Sequence, residues 1–267
     1  MKIAINGFGR IGRLTLRAFL EKKPKNIEIV AINDLADLNS NVHLFKYDSV
    51  HGTFKNDIKI LGSTININNT NIKFFSHSDP LILPWKDLEI DLVIESTGLF
   101  TDRESAKKHI EAGAKKVLIS APGKNVDLTI VYGVNDKLLD PSHTIVSNGS
   151  CTTNCLAPIA HILDSKLKIK SGYMTTIHAV TGDQKTIDTF HKDLRRARNS
   201  LMSMIPTSTG AAKAVGEVLP NLKGKLDGSA VRVPTTNVSL IDFCFETKIS
   251  TDEATINSLI INASKKE

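Results

Sequence analysis

At 267 residues, 41% hydrophobic and 23% charged, the chain has the composition of an ordinary globular protein, with room for two domains at about 150 residues each. Three cysteines, with no apolar signal core and cleavage site, argue against a secreted disulfide framework and for a reducing cytoplasm; no apolar run reaches roughly 18 residues, so no membrane span is expected. The formal charge of +6 admits an anionic partner, but "EKKPKN", "AKK" and "SKK" are scattered, so the lysines read as a solvated surface and nucleic acid is not the expected partner.

Strand and helix patterns alternate through the first half. "KIAIN" (Lys2 to Asn6) runs into "GFGRIG" and then the amphipathic stretch "RLTLRAFLEKK". "IEIVAIND" (Ile27 to Asp34) is a second β-branched run, and "NINNTN" (Asn66 to Asn71) reads as a turn inside an antiparallel insertion. "LEIDLVIESTG" (Leu88 to Gly98), the helical "DRESAKKHIEAGA" and "KKVLIS" (Lys115 to Ser120) follow. Apolar strands separated by helices predict a parallel sheet with crossover helices.

In the second half a helix follows Cys151, with Pro158 marking a kink or an early turn. The strand-like runs "SGYMTTIHAV" and "VRVPTTNVSLIDFCFET" then flank a polar, basic excursion from Thr181 to about Met204. Strands with long excursions predict a mixed, mainly antiparallel sheet covered by helices. The boundary is placed near Asn148, giving domains 1–148 and 149–267.

Gly7, Gly9 and Gly12 form G-x-G-x-x-G directly after a strand and at the opening of a helix. The first glycine permits the tight turn, the second lets a pyrophosphate approach the backbone, and the third lets helix and strand pack closely. Asp34 stands about 20 residues further on, at the end of the next strand, where a carboxylate accepts both ribose hydroxyls and repels a 2'-phosphate. The expected cofactor is therefore NAD. Thr97, Gly98 and Ser120 end later strands at the same edge of a doubly wound sheet, which makes them candidate neighbours of the nicotinamide.

Cys151 and Cys155 lie one helical turn apart. A shared metal would need further ligands, and C-x-x-C is the commoner signal, so no metal is expected. A thiol at a helix N-terminus is acidified by the backbone dipole, whereas one inside a packed helix is inert. Cys151 is thus the candidate nucleophile, with Cys155 and Cys244 expected in the core. Of the eight histidines, His178 stands out because it ends a strand and enters a polar segment, which makes it a candidate base without excluding the others.

"INGFGRIGR", "AINDL", "KYDSVHG", "SCTTNCLAP", "TTIHAVTGDQKTID", "PTSTGAAKAVGEVLP" and "VRVPTTNVS" occur in this order. Together they closely resemble the phosphorylating glyceraldehyde-3-phosphate dehydrogenase family from Met1 to about Thr247. The resemblance implies a Rossmann-type doubly wound domain joined to an α+β catalytic domain, and a homotetramer for the full-length enzyme. It implies that Cys151 attacks glyceraldehyde 3-phosphate, that His178 manages the proton, and that inorganic phosphate resolves a thioester. Thr181 and Arg232 would then hold the substrate phosphate; Ser150, Thr152, Thr209, Gly210 and an arginine of "DLRRAR", Arg196 in preference to Arg195, would hold the attacking one. Cofactor contacts are implied for Arg10, Ile11, Asp34, Ser78 and Ser120; position 78 is often basic in the family, so only a backbone contact carries over to Ser78.

The family normally extends beyond Glu267, so the resemblance also implies a chain shortened at its C-terminus, whose competence is a separate question. Erythrose-4-phosphate dehydrogenase shares the cysteine and histidine motifs but departs from "STGAA", which this chain retains. A non-catalytic cofactor- or nucleic-acid-binding protein is the rival of a different class.

Overall fold

The computed structural model describes residues 1–265. They form two units: residues 1–129 with 139–149, and residues 130–138 with 150 onward. A single cut after Asn148 does not describe this path. The segment 130–138 belongs to the second unit because Val131 is buried in that unit's core with Leu156, Ala157 and Val215, and Val134 packs against it.

In chain order the first unit contains β1 (Lys2–Asn6), α1 (Arg10–Lys22), β2 (Glu28–Asn33), α2 (Leu38–Lys46), a small hairpin of β3 (Tyr47–Asp48) and β4 (Gly52–Thr53), β5 (Ile58–Leu61), β6 (Thr64–Ile67), β7 (Thr70–Phe75), β8 (Leu92–Glu95), α3 (Arg103–Glu111), β9 (Lys116–Ile119), β10 (Leu128–Thr129) and β11 (Ile145–Ser147). Its main sheet has the order β10-β11-β9-β8-β1-β2-β7-β6-β5, parallel from β10 to β7 and antiparallel through β6 and β5. The chain winds outward from β1 through β2 on one side and from β8 through β9 on the other. The switch point, where a doubly wound sheet opens a crevice, is between β1 and β8. The expected turn in "NINNTN" joins β6 to β7: Asn68 and Asn69 have φ of 50° and 65°, the pair of left-handed residues a two-residue hairpin loop needs.

Two glycines in the first loop are dictated by close approach. Gly7 has φ of 91°, and a Cβ there would meet the Thr97 nitrogen at 2.6 Å; a Cβ on Gly12 would sit 2.2 Å from the Gly7 carbonyl oxygen. Both obstacles are backbone and cannot swing away. Gly12→Ala is therefore expected to destabilise the first unit by about 1–3 kcal/mol through overpacking. Urea denaturation is the check; an unchanged midpoint would refute a tight strand–helix contact there.

The second unit contains α4 (Cys151–Leu167), β12 (Ile169–Ala179), β13 (Ile205–Ser208), α5 (Ala211–Val218), β14 (Leu226–Val233), β15 (Leu240–Thr247) and α6 (Glu253–Ser264). Its sheet runs β13-β14-β12-β15; only β14 and β12 are parallel, so it is mixed and mainly antiparallel. Met174, Thr176 and His178 alternate along the buried face of β12. Leu156, Ala160, Leu163, Ala212, Val215 and Val218 of α4 and α5 supply much of the core. α4 runs through Pro158, which sits inside the helix. No helix among the described residues is long and apolar enough to cross a membrane.

Candidate active site

Side chains cap α2, α3, α4 and α6 at Asp37, Asp102, Ser150 and Asp252, each accepting a backbone N–H of the first turn. By contrast, α1 and α5 start at Gly9 and Gly210 with no side-chain cap on the N-cap residue. Uncapped helix starts leave backbone N–H groups directed outward, with the positive end of the helix dipole behind them. These two glycines lie in the two segments where sequence predicts phosphate oxygens.

At the switch point of the first sheet, a cavity of about 260 Å³ is lined by residues that include Gly7, Gly9, Asp34, Ser78 and Thr97. A Cβ on Gly9 would meet nothing within 4 Å, so this side of the loop is open to a ligand. Asp34 is fixed at the rim. Its Oδ2 accepts the Phe8 N–H (2.7 Å), and its Oδ1 accepts the Ala36 N–H (2.9 Å) and the Asn41 amide (3.3 Å). A glycine-lined approach to an uncapped helix start, with a carboxylate at the end of the next strand, fits a dinucleotide. Arg10 and Ile11 lie on the exposed first turn of α1, with Arg10 3.2 Å from Asp48. Gly12 packs beneath the loop. Gly98 follows Thr97 with φ of 75°, and the half-buried Ser120 continues the sheet by donating its N–H to Glu95 (2.9 Å); neither is among the lining residues of the cavity.

In the second unit, Ser150 caps α4 through the Thr153 N–H (3.0 Å), which places Cys151 in the first turn. The Cys151 Sγ lies 3.2 Å from the His178 Nε2. The thiol is drawn down to about 7, first by this hydrogen bond, then by the imidazole charge and the N–H and hydroxyl of Thr152, against the upward push of partial burial. His178 is raised, mainly by the same bond and by the Ala179 carbonyl, against burial and the charge of Arg232. Its Nδ1 is 2.7 Å from the Ala179 oxygen and 2.8 Å from the Arg232 Nη1. In the imidazolium form both ring N–H groups donate, one to the sulfur and one to Ala179. In the neutral form with the proton on Nε2, Nδ1 accepts from Arg232. The site therefore serves both protonation states, as a base that takes and returns a proton requires.

The arginines converge by strand register. His178 of β12 pairs with Arg232 of β14, and Arg232 with Ile205 of β13. Arg196 donates from Nε to the Thr207 hydroxyl (3.0 Å), from Nη2 to the Ser208 carbonyl (3.3 Å) and from Nη1 to Asp183 (3.0 Å). Arg195 instead forms a two-pronged pair with Asp193. Like-charge repulsion from Arg196 reaches Arg232, whose own Nε is buried without a hydrogen-bond partner. Thr209 accepts the Ala211 N–H (3.1 Å) beside Gly210, and Thr181 is exposed just beyond His178.

Two expectations are corrected. Cys155 and Cys244 are exposed, not core. The buried stripe of α4 runs through Thr152, Leu156, Ala160 and Leu163, leaving Cys151 and Cys155 on its flank. On β15 the alternation turns Ile241, Phe243 and Phe245 inward and Cys244 outward. Thr152 is also buried, with its hydroxyl directed at the Cys151 sulfur, and the Ser150 hydroxyl accepts the Thr153 N–H. The quoted stretches contain Asn6, Asn33 and Glu95 but assign them no role, although each is the polar last residue of an apolar strand, a signal visible in sequence.

Residues 1–103 match the family model described as glyceraldehyde 3-phosphate dehydrogenase, NAD binding domain, and residues 150–267 match that of the C-terminal domain. Among curated relatives, the glyceraldehyde-3-phosphate dehydrogenase of Xanthobacter flavus is 56% identical over 267 residues, covering 100% of this chain and 80% of that protein. Those of Pseudomonas aeruginosa and Geobacillus stearothermophilus are 53% identical over 266 residues and 52% identical over 268, covering 99% and 100% of this chain and 80% and 79% of their own lengths.

Proposed function

The chain belongs to the glyceraldehyde-3-phosphate dehydrogenase family, and from that premise we propose that it oxidises and phosphorylates D-glyceraldehyde 3-phosphate to 1,3-bisphosphoglycerate. It is an NAD-dependent oxidoreductase. The observation that carries the proposal is the Cys151–His178 pair, a thiol drawn to about 7 at the opening of a helix.

Cys151 attacks the aldehyde carbon as a thiolate, forming a C–S bond and a thiohemiacetal. His178 takes the proton that leaves the thiol, gives it to the aldehyde oxygen as the hemiacetal forms, and takes it back from that oxygen as the carbon is oxidised. NAD, when bound at the glycine loop and Asp34, supplies the hydride acceptor. Inorganic phosphate then attacks the thioester carbonyl, the C–S bond breaks, and Cys151 is regenerated. Arg232 and Thr181 bind the phosphate of the substrate. Ser150, Thr152, Arg196, Thr209 and Gly210, with the start of α5 behind the last two, bind the attacking phosphate; guanidinium forks, hydroxyls and backbone N–H groups are the donors such oxygens require.

The chemistry needs Cys151 as a free thiol, which agrees with a reducing cytoplasm. A homotetramer agrees with the exposed Ile187, Phe190, Leu194, Met202 and Met204 between β12 and β13, too many apolar side chains for a bare surface. Phosphate dependence tests the function. NADH formation from glyceraldehyde 3-phosphate is expected to require phosphate or arsenate. Full formation without either would sink the proposal in favour of erythrose-4-phosphate dehydrogenase chemistry.

A further inference from the structure

The ends of β2, β1 and β8 place Asn33, Asn6 and Glu95 side by side, since Asn6 pairs in register with both neighbours. All three are buried, and Glu95 is only 1% exposed. Its Oε2 accepts from the Asn6 amide (2.6 Å) and lies 3.1 Å from the His109 Nε2. Its Oε1 accepts the Thr97 N–H (2.8 Å) and the Thr97 hydroxyl. Behind His109 lies Trp85, fully buried and the chain's only tryptophan, whose indole N–H is 3.0 Å from Nδ1. An indole nitrogen can only donate, so Nδ1 accepts and the ring proton faces Glu95 from Nε2.

Every partner of Glu95 is thus a donor, two on each oxygen. A carboxylate satisfies them all, whereas a carboxamide would set its own N–H groups against one pair. From this group the bonds reach the walls of the cofactor cavity. The Asn6 Oδ1 accepts from the Asn33 amide (2.7 Å), which also donates to the His77 carbonyl (2.9 Å), and the Asn33 Oδ1 accepts the His77 N–H (2.9 Å). The Thr97 hydroxyl oxygen accepts the Leu99 N–H (3.0 Å). Asn6, Asn33, His77, Thr97 and Leu99 all line the cavity, while Glu95, His109 and Trp85 are not among its lining residues.

We propose that Glu95 is a positioning residue for the dinucleotide, a water-excluded carboxylate that holds Asn6, Asn33 and Thr97, and through them the 77–78 and 97–99 walls, in the geometry that binds NAD. The inference rests on the reading of this cavity as the cofactor site. A missing charged hydrogen bond at such a position corresponds to about tenfold or more in affinity.

The test measures NAD affinity by calorimetry and the emission of Trp85, using the full chain with Glu95→Gln, His109→Gln and His109→Leu. Glu95→Gln is expected to weaken NAD binding by about tenfold or more, while Cys151 is alkylated at the wild-type rate without NAD. A glutamine at 109 can donate to Glu95 and accept from Trp85, so His109→Gln is expected to keep both the affinity and the emission. His109→Leu removes both bonds and is expected to lose affinity and shift the emission. The two His109 variants carry the test if Glu95→Gln does not fold. Wild-type affinity in Glu95→Gln, or equal losses in His109→Gln and His109→Leu, would overturn the proposal. Failure of the unaltered chain to bind NAD would overturn the cofactor reading itself and this inference with it.

Discussion

Cys151→Ser is expected to reduce NADH formation by at least about 10⁴-fold while leaving NAD affinity at the wild-type value, because the hydroxyl is a far weaker nucleophile with no comparable acidity. The same substitution is expected to remove the single fast phase when a neutral alkylating reagent is added near pH 7. Exposure does not distinguish the thiols, since Cys151, Cys155 and Cys244 are all accessible. What distinguishes Cys151 is its bond to His178 and its place in the first turn of α4. A fast phase that survives in Cys151→Ser, or three equally slow thiols in the wild type, would remove the nucleophile from the proposal and favour a binding-only protein.

The second large effect belongs to His178→Asn. In the wild type the alkylation rate should rise with pH through a midpoint of about 7, since the thiolate is the reactive form. The bond from His178 is the largest cause of that low value, so its loss moves the midpoint up toward the ordinary thiol value of about 8.5. At pH 7 the thiolate fraction then falls by roughly tenfold, whereas well above pH 9 the two proteins should react at similar rates. Turnover is expected to fall further, by about 10²–10⁴-fold, because the variant also loses the group that takes the hemiacetal proton. A midpoint unchanged by the substitution would mean that the helix start, not the imidazole, acidifies the sulfur.

Much of the site was legible because its parts are written as contiguous strings. The glycine loop needs close backbone approach at Gly7 and Gly12, and such positions tolerate no other residue, so their spacing survives as a motif. Asp34, at the end of β2, follows from the same local logic, as do Cys151 behind its serine cap and the "NINNTN" turn with its two left-handed asparagines. The exposure of Cys155 and Cys244 is not legible in the sequence, for a related reason. Local pattern says that a cysteine on a helix or strand is apolar, but which flank of α4 or face of β15 it occupies depends on what packs there.

By itself, then, the sequence determined the doubly wound plan of the first unit, the identity of the cofactor and the family, and it singled out Cys151 as the candidate nucleophile, because each rests on residues near one another in the chain. Only the tertiary structure decided how distant residues answer one another. It chose His178 among eight histidines by bringing it, across 27 positions, to 3.2 Å from Cys151. It set the Arg196 guanidinium on Thr207 and Asp183 and that of Arg195 on Asp193, and it gathered Asn6, Thr97 and His109 around the Glu95 carboxylate. These pairings are set by strand register and helix packing. Hydrogen bonds between residues so far apart leave no periodic trace along the chain, which is why they appear only once the sheet is assembled.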